Sequence, residues 1–166
     1  MPNDALVTRI AGLADLEVVA ALLLTTKRYY WGEHADNQAT TRRAAEDLLG
    51  GGADCKMLIG WWDGAPAAYA TFAILHPAQS EHGTLFMKDL FVLDGARDKG
   101  LGEVMMRRLA ALAVARGCRR FDWTAETDNP RALAFYDRLS AQRVTDKVYF
   151  RFTGEDLARF AATAEG

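Results

Sequence analysis

The spacing of apolar and polar residues changes several times along the chain, and each change marks an element. Leu6–Ile10 reads as a short strand. Asp15 stands where a helix cap belongs, and Leu16, Val19, Ala20 and Leu23 then recur with the helical period. That pattern fades at Tyr29, Tyr30, Trp31 and Gly32, which predict an aromatic, glycine-containing loop. Residues 41–49 read as a second helix, stopped by Gly50, Gly51 and Gly52. Lys56–Trp62 and residues 67–75 are strand-like runs, and Asp63-Gly64 between them is a hairpin signal. A polar loop over 76–82, containing Pro77, leads into a strand over Thr84–Val92.

The second half is more sharply patterned. Over 101–116, Leu101, Met105, Leu109 and Leu112 make one apolar stripe, Arg107, Arg108 and Arg116 lie off it, and Gly117 closes the helix. Residues 120–124 form a strand. Asn129 caps a helix that begins with Pro130, a residue suited to the first helical position. Its stripe is Ala132, Phe135, Tyr136 and Leu139. Residues 148–152 read as a last strand, a further short strand fits near Arg143, and Thr153 with Asp156 opens a terminal helix. The order β-α-α-β-β-β-α-β-α-β is that of a mixed α/β domain, with hairpins in the middle and a βαβ unit after them. No repeat, low-complexity tract or linker interrupts it, so residues 1–166 are expected to form one domain.

Composition narrows the function classes. The 166 residues are 50% hydrophobic and 25% charged, the balance of a globular chain with a core. A net charge of −2 gives no general attraction for nucleic acid or an anionic membrane, and neither is expected as a partner. Basic residues do gather within 97–120, which bears on a smaller anionic ligand. Cys55 and Cys118 lie far apart and outside any C-x-x-C, so a reducing, cytoplasmic setting fits. Residues 1–9 lack a signal pattern, and no apolar run reaches the roughly 20 residues that span a bilayer. His34, His76 and His82 show no metal-ligand spacing, and no metal is expected.

The chemistry concentrates in residues 89–102, where a strand ends at Val92 and Arg97-x-x-Gly100-x-Gly102 leads into the long helix. Backbone N–H groups at a helix start have no internal partner, and the helix dipole favours negative charge there. Glycines admit an anion close to the backbone, and Arg97 and Lys99 add positive charge. In physical terms this is a pyrophosphate cradle. An ordinary glycine-rich turn before a core helix explains the same residues equally well. A dinucleotide-binding fingerprint fits less well. Its third glycine falls at Met105, and the glycines come eight residues after Val92, although Asp122 lies where a ribose-binding acid belongs.

The run from Val92 to Gly102 resembles the [QR]-x-x-G-x-[GA] signature of the GNAT superfamily of N-acetyltransferases, placed after a fourth strand and at the head of a helix. The resemblance continues through Phe121-Asp122-Trp123-Thr124, through Asn129–Tyr136 with its N-x-x-A-x-x-F/Y-Y pattern, and through residues 149–152. Its closest flavour is the diamine acetyltransferase-like branch. It implies a central, mainly antiparallel twisted sheet of six to seven strands flanked by four to five helices. It implies acetyl-CoA as co-substrate, a small-molecule amine as acceptor, direct transfer without an acyl-enzyme, and a homodimer. Leu90, Phe91 and Val92 would offer backbone groups to the pantetheine arm. Arg97, Asp98, Lys99, Gly100, Leu101, Gly102 and Glu103 would surround the pyrophosphate. Asn129, Phe135 and Tyr136 would border the cofactor arm, with Tyr136 near the sulfur. A tyrosine, with an ordinary pKa near 10, stays protonated at rest and can serve a departing thiolate; a core aromatic on a helix stripe is the alternative.

Two features depart from the family pattern. Asp98 and Glu103 put carboxylates beside the expected phosphates. Lys88 stands where the polyamine-acetylating branch tends to carry a glutamate that helps deprotonate the acceptor, and a charged lysine cannot do that. Candidate bases are therefore Asp89 and Glu126, with Glu81 and His82 behind them. Lys88 pairs either with an acceptor carboxylate or with a neighbouring acid. Tyr29, Tyr30, Trp31 and Glu33, with the loop over 76–82, are expected to line the acceptor side, where aromatic walls suit an amine's alkyl chain and an acid attracts its charge; the same aromatics would equally serve a dimer surface or the core. A non-catalytic acyl-CoA sensor and a protein lysine or N-terminal acetyltransferase are the competing functions.

Overall fold

The computed structural model describes residues 6–35, 37–76 and 82–162. The chain divides into two compact units, Met1–Glu126 and Thr127–Gly166. The first carries a five-stranded sheet in the order β1 (Leu6–Ile10), β2 (Lys56–Trp62), β3 (Ala65–Leu75), β4 (Thr84–Val92) and β5 (Arg120–Trp123). Each pair is antiparallel except β4–β5, which is parallel. Parallel neighbours need a crossover, and α3 (Leu101–Ala115) provides it. The Asp63-Gly64 hairpin forms as its sequence dictates, with φ values of 49° and 78°.

α1 (Leu16–Trp31) and α2 (Gln38–Gly50) cover one face of the sheet. Val19, Leu22 and Ala45 pack there against Met57, Ile59, Tyr69 and Phe91. The buried Tyr69 hydroxyl keeps a partner by meeting the Thr26 hydroxyl at 2.8 Å. α3 lies against β3 and β4 on the other face. A side chain on Gly60 would start 2.9 Å from the Met105 sulfur, so the absence of one lets helix and strand close together. At the start of the unit, both Arg9 nitrogens reach the Asp15 carboxylate at 2.5 Å and tie β1 to the entrance of α1.

Two bulges interrupt the alternation of the central strands. One of them lies in β4. Thr71 pairs with Asp89 but the adjacent Phe72 pairs with Met87, which leaves Lys88 as the extra residue. Without it, Leu85, Met87, Asp89 and Phe91 would all share one face. With it, Asp89 and Phe91 turn to the face covered by α1 and α2.

The mixed, mainly antiparallel sheet and five helices are as the sequence implies, but the strand count is lower. Five strands form among the described residues, against the six or seven expected. Residues 148–152 carry no regular structure, and neither does the stretch near Arg143. A strand needs a ladder partner, and none pairs with these residues. Arg143 instead binds Asp137 through two nitrogens, at 2.9 and 2.6 Å, and Phe152 stacks on Phe160 at 4.7 Å. The predicted aromatic loop at 29–31 is helical. α1 runs on to Trp31, and Gly32, at φ 78°, ends it with its N–H on the Arg28 carbonyl. In the second unit, α4 (Pro130–Arg138) and α5 (Gly154–Ala162) form as predicted.

Candidate active site

The loop from β4 to α3 has the backbone of an anion cradle. Asp98 takes φ 61° and Gly100 takes φ 76°, both in the left-handed region, which re-aims the chain into α3. Gly100 is the N-cap of α3 and has no side chain to bond the first turn. α2 shows the contrast, because the Asn37 side chain there accepts the Thr40 N–H at 3.0 Å. The first-turn N–H groups of Leu101, Gly102 and Glu103 therefore face outward without a cap from Gly100. Leu101 itself is buried and anchors the turn.

The charged residues of this loop divide their work. Glu103, a departure from the family pattern, is drawn along the helix by Arg107, whose two nitrogens hold it at 3.0 and 2.7 Å. Asp98 is exposed. Lys99 lies 5.4 Å from the centre of the Trp62 ring. Arg97 is turned inward. Its Nε donates to the Val92 carbonyl at 3.1 Å, its Nη1 meets Asp94 at 2.6 Å, and its guanidinium lies 4.7 Å over the Tyr29 ring and 5.7 Å over Phe91. It clamps the loop to α1 rather than projecting into solvent.

β4 opens beside this cradle. Its parallel ladder with β5 runs from Thr84–Arg120 to Met87–Trp123 and stops. Beyond that point Asp89, Leu90, Phe91 and Val92 keep β3 on one side, the bulged Lys88 pairs with neither strand, and none of the five has a β5 partner. An unpaired strand edge offers backbone donors and acceptors to an extended ligand. Asp89 stands within this opening. The Thr71 hydroxyl donates to its Oδ2 at 2.5 Å, and the Lys88 ammonium lies 3.6 Å from its Oδ1. Burial raises the pKa of the Tyr30 hydroxyl, with Tyr29 and then Asp89 adding to it, and raises that of the Cys55 thiol, with Asp89 adding to it. Glu126 is exposed beyond the end of β5.

The predicted acceptor aromatics close the other side. The Tyr29 ring meets Phe91 edge-on at 5.3 Å and Tyr30 at 5.1 Å. Trp31 tilts against Tyr30 at 5.8 Å. Glu33 pairs with Arg28 at 3.4 Å and is otherwise exposed. Thr25, Arg28, Tyr29, Phe91, Leu93 and Asp94 line a cavity of about 350 Å³. The Tyr29–Phe91 contact thus brings the predicted acceptor side onto the predicted cofactor strand.

In the second unit, Asn129 caps α4 by accepting the Ala132 N–H at 3.1 Å, and Phe135 and Tyr136 lie 5.1 Å apart, both half-buried. Residues 77–81 of the expected acceptor loop, Glu81 among them, fall outside the described residues, and His82 is half-buried just before β4. Thr71 and Asp94 were not singled out from the sequence, and Cys55 was read only for its redox setting. The strand pairing that sets Thr71 against Asp89 is a long-range fact, although Asp94, three residues before Arg97, was within reach of a local argument. Among the described residues no group of three or more His, Cys, Asp or Glu side chains is placed to hold a metal, and no helix is long and apolar enough to cross a membrane.

Comparison with known proteins identifies the family and the fold. The model of the acetyltransferase (GNAT) family matches residues 17–140. A thialysine N-epsilon-acetyltransferase of Mus musculus is 29% identical over 80 residues, 46% of this chain and 47% of that protein. An L-ornithine N5-acetyltransferase of Arabidopsis thaliana is 28% identical over 91 residues, 55% of this chain and 40% of that protein. The chain thus spans about half the length of the curated relatives it matches. Among solved structures, an integron cassette protein from the mobile metagenome of V. cholerae superposes with a TM-score of 0.86 at 30% identity, over 95% of this chain and 98% of its own.

Proposed function

The chain belongs to the acetyltransferase (GNAT) family, and from that premise we propose that it moves an acetyl group from acetyl-CoA to a primary amine of a small molecule. A polyamine, an amino acid or a related amine fits the reading. One observation carries it: an uncapped, glycine-led helix start stands beside a β4 edge that is open from Lys88 to Val92. The N–H groups of residues 101–103 suit the pyrophosphate, and the open edge suits the pantetheine arm. Thialysine and ornithine, for which the curated relatives are named, both carry a side-chain amine. The whole chain acts as one acyl-CoA N-acyltransferase domain in this reading, as a homodimer in the cytoplasm.

The transfer is direct. The amine nitrogen attacks the thioester carbonyl carbon, the N–C bond forms and the C–S bond breaks. The amine proton passes to Asp89 or Glu126, directly or through water, and Asp89 is the better placed of the two because it stands in the opening. The thiolate takes a proton from Tyr136, and Asn129 and Phe135 border the cofactor arm. Tyr29, Tyr30, Trp31 and Glu33 form the acceptor wall.

Ligand that binds only the folded state stabilises it by RT ln(1 + [L]/Kd). Acetyl-CoA at a hundredfold excess over its Kd is expected to raise the melting temperature by about 5–10 °C, and NAD much less. A thiol-release assay against an amine panel then shows turnover. No thermal shift at millimolar acetyl-CoA sinks the whole proposal. A shift with no turnover on any amine leaves a binding module and removes the enzyme.

A further inference from the structure

The bulge in β4 puts two opposite charges at the mouth of the opening. Lys88 is the extra residue and takes no rung on β3, while Asp89 returns to the ladder opposite Thr71. The β5 ladder ends one residue earlier, at Met87. Lys88 and Asp89 are therefore the first two residues of β4 past the split, where the acetyl-transfer reading needs the acceptor to arrive.

The two side chains are adjacent without being joined. Lys88 Nζ lies 3.6 Å from Asp89 Oδ1, too long for a hydrogen bond. Their side chains are 78% and 44% exposed. Asp89 is fixed from behind, because the Thr71 hydroxyl holds Oδ2 at 2.5 Å and leaves Oδ1 toward Lys88. The lysine stem is long and flexible, so its ammonium can swing away from the carboxylate without disturbing the strand. An exposed ion pair of this kind gains little from its own attraction. Each partner keeps most of its capacity for a ligand of opposite charge.

That arrangement discriminates between acceptor classes. A polyamine presents two or more ammonium groups. Asp89 suits the first, and the Lys88 charge beside it repels the next. A molecule carrying both an amine and a carboxylate meets a matching charge at each end. Resting on the acetyl-transfer reading above, we propose that Lys88 is a specificity-determining residue that binds the acceptor's carboxylate while Asp89 receives its amine, so that the acceptor is an amino acid.

Matched acceptors that differ only by a carboxylate test this: ornithine against putrescine, and lysine against cadaverine. With the full chain and saturating acetyl-CoA, kcat/KM is expected to favour the amino acid of each pair by about tenfold or more, the usual weight of a hydrogen-bonded charge. Lys88→Gln should cut that preference about tenfold, mainly through KM for the amino acid. Lys88→Arg, which keeps the charge, should retain most of it, and Lys88→Glu should reverse the order. An unchanged preference in Lys88→Gln, or a wild type that favours the diamines, overturns the proposal. Calorimetric titration of ornithine into the CoA-saturated protein separates it from the reading beneath. Ornithine binding that Lys88→Gln weakens, with no turnover of any amine, upholds carboxylate recognition and removes acetyl transfer. Turnover of both members of each pair at equal efficiency upholds acetyl transfer and removes the role of Lys88. No binding of ornithine or lysine also overturns it.

Discussion

Lys88 and Asp89 are consecutive in sequence, yet one is an extra residue in the ladder and the other a rung of it. The sequence raised both as candidates from charge type and from the family's usual glutamate. It did not reveal Thr71 as the hydroxyl that holds Asp89, because that pairing depends on a one-residue bulge with no local signature. Tyr136 was legible as a motif position and as part of a helical stripe, which is where local information ends. Its role as the acid is tested by Tyr136→Phe. The ring remains beside Phe135, so folding should survive, with a loss of about 1–3 kcal/mol if the hydroxyl has a buried partner. Loss of a positioned acid should lower kcat by about ten- to ten-thousand-fold while CoA binding holds within a few-fold. The defect should shrink with an acyl donor whose thiol is more acidic, since a better leaving group needs less help. Wild-type turnover under rate-limiting chemistry would make Tyr136 a packing residue only.

At the scale of elements, α3 and its approach loop were the most legible part of the chain. A strand end, two glycines and a strict apolar stripe are all local signals, and β4, α3, β5 and α4 form within a residue or two of the expected bounds. Only the direction of Arg97 escaped, because Tyr29 and Asp94 compete with a phosphate for its guanidinium and the first of these is distant in sequence. The two glycines of the loop differ in what they need. Gly100 sits at φ 76°, and a Cβ placed there would meet nothing within 4 Å, so the position requires torsion rather than space. Gly100→Ala should cost about 1 kcal/mol of stability. Gly102 lies inside the first turn of α3, where the helical backbone makes no torsional demand for glycine. Gly102→Val should therefore change stability by only about 0.5 kcal/mol, yet weaken CoA binding at least about tenfold by covering the exposed N–H groups. Thermal unfolding and CoA titration of both variants give the comparison. Normal CoA affinity in Gly102→Val would mean that the anion binds elsewhere.

At the scale of the whole molecule, the antiparallel run β2–β3–β4 and the crossover to β5 were readable, whereas the pairing of β1 with β2 across α1 and α2 is a long-range fact. The expected closing strand was not realised, because 148–152 carries apolar residues but no ladder partner, and strand formation is decided by pairing rather than composition. The same contrast between local and global shows in how stability should respond to pH. Burial pushes the Tyr69 pKa from 10.0 up to about 12 despite the Thr26 hydroxyl that favours its ionised form. Below pH 10 the proton is present in both states, and the contribution to stability is complete. Between about pH 10 and 12 the unfolded chain releases that proton while the folded chain keeps it, so stability falls as pH rises. Two units of difference correspond to at most about 2–3 kcal/mol. Tyr69→Phe keeps the ring against Phe91 and gives up the bond to Thr26, at a cost of about 1 kcal/mol near neutrality. It should also remove most of the alkaline loss. Tyr30 is shifted in the same direction by burial, so the variant's curve should be shallower rather than flat. Urea unfolding at pH 9 and again near pH 11.5 reads the difference directly. The wild type should lose about 1–2 kcal/mol more between the two than Tyr69→Phe does, and equal losses would show that the Tyr69 hydroxyl titrates as freely in the folded protein as in the unfolded chain.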